Sequence, residues 1–187
     1  MIPSPEECLQ LMTSYAMLDN IRAHSIMVAR VADYLSEELQ RRGAGISHRA
    51  VIAGALLHDI AKTECIRTGC DHASEGREIC LRHGFVEIAD IVGDHVVIRN
   101  GGAAPLGERE IVYYADKRVT HEAIVGLAQR RDYILARYGN DDPRRIAAIE
   151  KNFLRCQRME REIFALLDIE PEQLAATVLH RNTTFLT

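Results

Sequence analysis

The chain has 187 residues, of which 47% are hydrophobic and 27% charged, with a formal net charge of −4. That balance excludes an intrinsically disordered chain and supplies enough apolar side chains for one buried core. The mildly acidic total offers no overall basic face, so no nucleic-acid partner is expected.

No apolar run approaches the ~20 residues that cross a bilayer, and MIPSPEEC lacks the basic run and apolar centre of a secretory leader. The expectation is a cytoplasmic protein with no membrane contact. Cys8, Cys65, Cys70, Cys80 and Cys156 form no C-x-x-C pair, and their odd number fits reduced thiols. Cys65 and Cys70 have no second Cys/His pair at zinc-site spacing, so they are not expected to ligate metal.

Helical punctuation runs through the whole chain. Ser4-Pro5-Glu6-Glu7 reads as an N-cap, Pro at the first helical position and acids in the first turn. Asp19 or Asn20 can cap a second helix whose stripe of Ile21, Val28, Val31, Leu35 and Leu39 ends at Gly43. Ser47 opens a third, running to about Lys62. Asp71 caps a fourth, ending near Gly84, and a fifth covers Val86 to about Val97. A loop from Arg99 through Pro105 precedes a sixth helix carrying Ile111–Asp116. A seventh spans roughly Glu122 to Tyr138. Asp142-Pro143 launches a long eighth helix to about Leu167, and Pro171 begins a short last one. No segment alternates strictly enough to demand a strand. The fold class expected is all-α, one domain over 1–187, with a chemical core at 20–120. Helices over 121–187 cover that core or form a homodimer face.

Within this frame, polar side chains sit where apolar ones are expected. His58-Asp59 ends the apolar run Gly54-Ala55-Leu56-Leu57. His24 lies among Ile21, Val28 and Val31, and Asp116 closes Ile111-Val112-Tyr113-Tyr114-Ala115. A buried carboxylate is costly unless it is paired or bound to a cation. Finding His, His-Asp and Asp on three successive apolar-faced segments therefore points to a metal. His72 opens the fourth helix, and His95 ends the fifth. His48, His83, His121 and His180 read as surface or capping residues. The Arg- and Glu-interleaved stretch from Arg144 to Glu162 reads as a solvated face.

The pattern His24, His58-Asp59, Asp116 resembles the H…HD…D signature of the HD-domain superfamily of metal-dependent phosphohydrolases. Leu57-His58-Asp59-Ile60-Ala61-Lys62 resembles the family's L-H-D-I-[GA]-K phrase, and Tyr114-Ala115-Asp116-Lys117 its last motif. With His72 and His95 the chain follows the longer, HDIG-type H…HD…H…H…D order. The resemblance implies a helical bundle with extra C-terminal helices and two divalent ions. One ion would be held by His24, His58, Asp59 and Asp116, and the other by His72 and His95, with Asp59 bridging.

Imidazole-rich coordination favours Fe or Mn, with Co, Ni or Mg also possible. The implied activity is hydrolysis of a small phosphorylated metabolite, a nucleotide in the first instance, by a metal-activated water. Asp59 and Lys62 are then the catalytic candidates, while Lys62, Arg99 and Arg118 are candidates for binding phosphate. Asp94 is a candidate to orient His95. The alternatives are a mixed-valence di-iron oxygenase built on the same cage, and a non-catalytic regulatory module.

Overall fold

The computed structural model describes residues 1–99 and 106–181; the part of the expected glycine-rich loop at 100–105 lies outside them. The architecture is all-α. In chain order the helices are α1 (Pro5–Ser14), α2 (Asp19–Arg41), α3 (His48–Leu57), α4 (Lys62–Thr68), α5 (His72–Arg82), α6 (Val86–Asp94) and α7 (Glu108–Lys117). A two-residue-by-two-residue antiparallel ribbon follows, β1 (Val119–Thr120) with β2 (Ala123–Ile124). Then come α8 (Leu127–Tyr138), α9 (Pro143–Phe164), a 3₁₀ turn at Pro171–Gln173, and α10 (Leu174–Leu179). No helix among the described residues is long and apolar enough to cross a membrane.

The end signals written in the sequence act as expected at several helices. Ser4 and Glu7 form a reciprocal capping box, the Ser4 hydroxyl accepting from Glu7 N and the Glu7 carboxylate from Ser4 N. Ser47, Asp71 and Asp142 each accept from a backbone N–H of the helix that follows.

α3 is the centre of the molecule. Every residue from Ala50 to Leu57 is buried, as expected of a helix that is apolar all round, and it packs against α1, α2, α6 and α7. Small residues allow this crowding. A methyl group at Gly54 would lie 2.5 Å from Ile91 Cγ2, and one at Gly76 of α5 would lie 2.9 Å from Val92 Cγ1. Those two glycines let α6 close on α3 and α5, the packing that brings His72 and His95 toward His58.

Four expectations change. The third helix does not run on to Lys62. It stops at Leu57, and tight turns through His58–Ala61 (Ile60 N to Leu57 O, Lys62 N to Asp59 O) separate it from α4. The seventh helix starts at Leu127 instead of Glu122, because the chain first makes the ribbon, turning at His121 with φ +54°. That ribbon also corrects the expectation of no strand; each strand is only two residues long, too short for any alternation to register. The second helix is preceded by Leu18, with no side-chain cap.

The cysteines also differ from expectation. Cys65 and Cys70 form a disulfide, with Cα atoms 4.6 Å apart. Gly69, at φ +78°, turns the chain back after α4 and brings the two together. Cys8, Cys80 and Cys156 are free and buried. Burial pushes the thiols of Cys8 and Cys80 up to about 12, and that of Cys156 to about 11. A thiol reagent at pH 8 is therefore expected to find no reactive cysteine in the native oxidised protein. It should find three after denaturation and five after denaturation with reduction. Rapid labelling of the native protein contradicts this arrangement.

Candidate metal centre

The break after α3 places the His58-Asp59 pair at a corner instead of on a continuing helix. Successive residues of a straight helix point about 100° apart; the tight turns bring both side chains inward, and both are buried. α2 supplies His24, the start of α5 supplies His72, the end of α6 supplies His95, and α7 supplies Asp116. Two groups of potential ligand atoms result, His24–His58–Asp59 and Asp59–His72–His95, each with its atoms within 4.8 Å of one another. Two ligands on one ion with bonds of ~2.2 Å cannot be more than about 4.4 Å apart, so an ion needs to draw each group together only slightly. Asp59 belongs to both groups.

The imidazoles are aimed by the backbone. His58 Nδ1 donates to the Ala55 carbonyl at 2.7 Å, His95 Nδ1 to Val92 O at 2.6 Å, and His24 Nδ1 to His121 O at 2.9 Å. A carbonyl can only accept, so each Nδ1 carries a proton; Nε2 then offers a lone pair in the neutral ring and a second N–H in the protonated one. Each Nε2 faces a carboxylate. His24 Nε2 is 3.0 Å from Asp116 Oδ1, and His95 Nε2 is 3.4 Å from Asp59 Oδ1. His58 Nε2 lies 3.5 Å from Asp59 Oδ2 and 3.8 Å from Asp116 Oδ1, while His72 Nε2 lies 3.5 Å from Asp59 Oδ1.

His58 Nε2 and Asp59 Oδ1 are buried with no hydrogen-bond partner. Buried polar atoms are rarely left so, and imidazoles converging on a shared buried carboxylate offer a divalent cation its donors once the rings are neutral. The donor set therefore fits divalent metal.

The electrostatics favour ionised carboxylates, and although burial opposes it, Asp59 and Asp116 raise His58 toward the protonated form that a metal would displace. Burial alone would raise the Asp59 carboxyl, but His58, His95 and Lys62 outweigh it and hold Asp59 well below the ordinary carboxylate range. Burial likewise opposes ionisation of Asp116, and Lys117, His24 and Arg130 reverse it. Burial, with His95 close by, pulls His72 down to about 4. Ionised carboxylates and a neutral His72 are the forms that ligate.

The centre forms the floor of a cavity of about 510 Å³. Lys62, Lys117, Arg130 and Arg137 give it a cationic wall, and Tyr133 and Phe153 of α8 and α9 an aromatic one. Lys62 Nζ donates to Asp59 Oδ2 at 2.8 Å.

The structure thus brings together His24, His58, Asp59, Lys62, His72, His95 and Asp116. It does not bring in Arg99 or Arg118. Arg99 donates to Asp94 at 2.6 Å and borders a separate surface depression. Arg118 is buried, bonded to Val125 O, the Tyr114 hydroxyl, Glu160 and Pro171 O. Asp94 does not orient His95; it is held by Arg99 and Arg109, and the Val92 carbonyl does the orienting.

The other histidines have structural partners. His48 bridges Asp33 and Ser36 across α2, and His83 pairs with Tyr15.

Two contributors went unread in the sequence. The His121 carbonyl, aimed by the ribbon turn, fixes the His24 tautomer, and no side-chain pattern signals a backbone acceptor. Arg130 had a signal: it sits on the apolar stripe Leu127, Ile134, Tyr138 of α8, where a cation is out of place.

Comparison with known proteins bears on function. A protein from Picrophilus torridus, named tRNA (cytidine(56)-2'-O)-methyltransferase, is 32% identical over 145 residues, covering 70% of this chain and 40% of that protein. One of the same name from Thermoplasma volcanium is 30% identical over 164 residues, covering 80% and 46%. The chain thus spans less than half the length of these curated relatives. No solved structure matches it significantly.

The relatives' names correct two expectations. They denote methyl transfer to tRNA, which contradicts the expected hydrolase of small phosphorylated metabolites as the activity of those longer proteins. They also overturn the expectation of no nucleic-acid partner. A family model described as HD domain matches residues 21–121, the stretch that carries every one of these potential metal ligands, and the chain belongs to the HD-domain family.

Proposed function

We propose that this chain is a metal-holding module of a tRNA-modification system, which captures a phosphate group of the RNA over a pair of divalent ions. His24, His58, Asp59 and Asp116 would hold one ion, and Asp59, His72 and His95 the other, with Fe or Mn suited to the imidazole-rich set. The observation that carries the reading is Asp59, whose Oδ1 is buried without a hydrogen-bond partner and faces His72 and His95 while Oδ2 faces His58. The relatives named for tRNA methylation supply the class of macromolecule.

Charge argues for phosphate over methyl donor in this cavity. A sulfonium methyl donor carries positive charge at its sulfur, which divalent ions beside Lys62, Arg130 and Arg137 would repel, whereas a phosphate is attracted. Methyl transfer would then use a donor site outside this cavity. When bound, the ions supply a fixed positive centre for phosphoryl oxygens. The chain's own residues orient the imidazoles, and Lys62 both neutralises Asp59 and faces the ligand.

The test is tRNA binding followed by fluorescence anisotropy with Mn(II) or with chelator. Chelation is expected to weaken binding at least about tenfold, or ~1.4 kcal/mol. Equal affinity with and without metal, or no tRNA binding at all, overturns the reading.

A further inference from the structure

We infer that Arg130 is the anion-binding residue of this cavity, taking a phosphate oxygen from the side opposite Lys62; the inference rests on the reading of the cavity as a phosphate site. Arg130 comes from α8, beyond the stretch matched by the family model, so the HD motif does not account for it. Its side chain is 90% buried, only 10% of it exposed, and it lines the cavity.

Its Nε is buried with no hydrogen-bond partner. Nη2 lies 3.6 Å from Asp116 Oδ1, near enough to feel the charge but too far for a hydrogen bond. The guanidinium carbon sits 5.6 Å from the centre of the Tyr133 ring, a cation–π contact on the cavity wall. Burying a guanidinium with an unused donor is costly. A planar fork held open over a metal centre suits the bidentate geometry of phosphate. A counter-charge serving only Asp116 would be expected to close to hydrogen-bonding distance; Lys117 already does so, donating to Asp116 Oδ2 at 2.6 Å.

The ligand chemistry is a phosphate group, from either an RNA backbone or a small phosphate. Two probes of the Mn(II)-loaded protein separate these sources: inorganic phosphate by calorimetry, and a tRNA transcript by anisotropy across a salt series. Arg130→Gln is expected to weaken phosphate binding about tenfold or more. It should also lower the salt slope of tRNA binding by about one. Metal content should stay at the wild-type value and the melting temperature should not fall, and Arg130→Lys should recover part of the affinity.

Loss of phosphate affinity in a protein that binds no tRNA supports the role of Arg130 while removing the RNA reading. A loss confined to tRNA assigns the phosphate to the RNA backbone. Three results overturn the inference: unchanged affinity for both probes in Arg130→Gln, a fall in metal content parallel to the fall in binding, or wild-type protein that binds neither probe.

Discussion

Asp59→Ala is expected to leave the protein essentially without metal, whereas the wild type purified without chelator carries transition metal measurable by elemental analysis. The reason lies in the two carboxylate oxygens. Oδ2 faces His58 at 3.5 Å, Oδ1 faces His95 at 3.4 Å and His72 at 3.5 Å, so one substitution removes a ligand from both groups. Removing even an outer-shell partner of a metal ligand typically costs 10–100-fold in affinity, and losing a shared ligand should cost at least the upper figure.

Linkage turns this into a thermal readout. With free metal at a hundred times the wild-type Kd, binding stabilises the native state by about 2.7 kcal/mol. For a chain of this length that raises the melting temperature by roughly 5–11 °C. A variant binding a hundredfold more weakly gains only ~0.4 kcal/mol under the same conditions, a shift of about 1 °C. A full metal-induced shift in Asp59→Ala would show that the two groups of side chains are not joined through this carboxylate.

The candidate ligands were legible in the sequence because burying them is costly. His58-Asp59 and Asp116 stand in apolar runs where a core would take leucine, and such placements persist when a cation rewards them. Helix starts at Ser4, Ser47, Asp71 and Asp142 were legible because capping chemistry is local. Four features were not. The stop after Leu57 comes from tight turns with no Gly or Pro to mark them. The ribbon at 119–124 turns on His121, a residue type that reaches positive φ only occasionally. The Cys65–Cys70 pairing depends on the fold-back at Gly69, and cysteine parity argued the other way. Arg99 and Arg118 were assigned to phosphate because arginine suits it. Which anion an arginine meets is decided by tertiary neighbours, and here both meet acceptors of the protein itself.

Arg118 shows how large that difference is. Its guanidinium donates to the Val125 carbonyl at 2.6 Å, to the Tyr114 hydroxyl at 2.5 Å, to Glu160 at 3.0 Å and to the Pro171 carbonyl at 2.8 Å. One side chain thereby ties the end of α7 to the start of α8, to α9 and to the 3₁₀ turn before α10. It is 3% exposed. Removing it leaves two carbonyls without their donor and Glu160 without its counter-charge, held only by the Tyr114 hydroxyl at 2.6 Å, and breaking a buried pair in this way costs about 3–5 kcal/mol.

Arg118→Met, which keeps much of the apolar stem, is therefore expected to unfold in urea with that much less stability and to melt roughly 6–20 °C lower. Arg118→Lys should recover little, because an ammonium cannot reach acceptors arranged around a planar fork. The metal-induced rise in melting temperature should survive in both, since Arg118 touches none of His24, His58, Asp59, His72, His95 or Asp116. A phosphate-binding role predicts the reverse: stability close to wild type with affinity for phosphate lost. The helices after Asp116, which carry Arg130 and Tyr133 into the cavity of the candidate metal centre, are thus held in place by an arginine whose pattern in the sequence pointed to substrate.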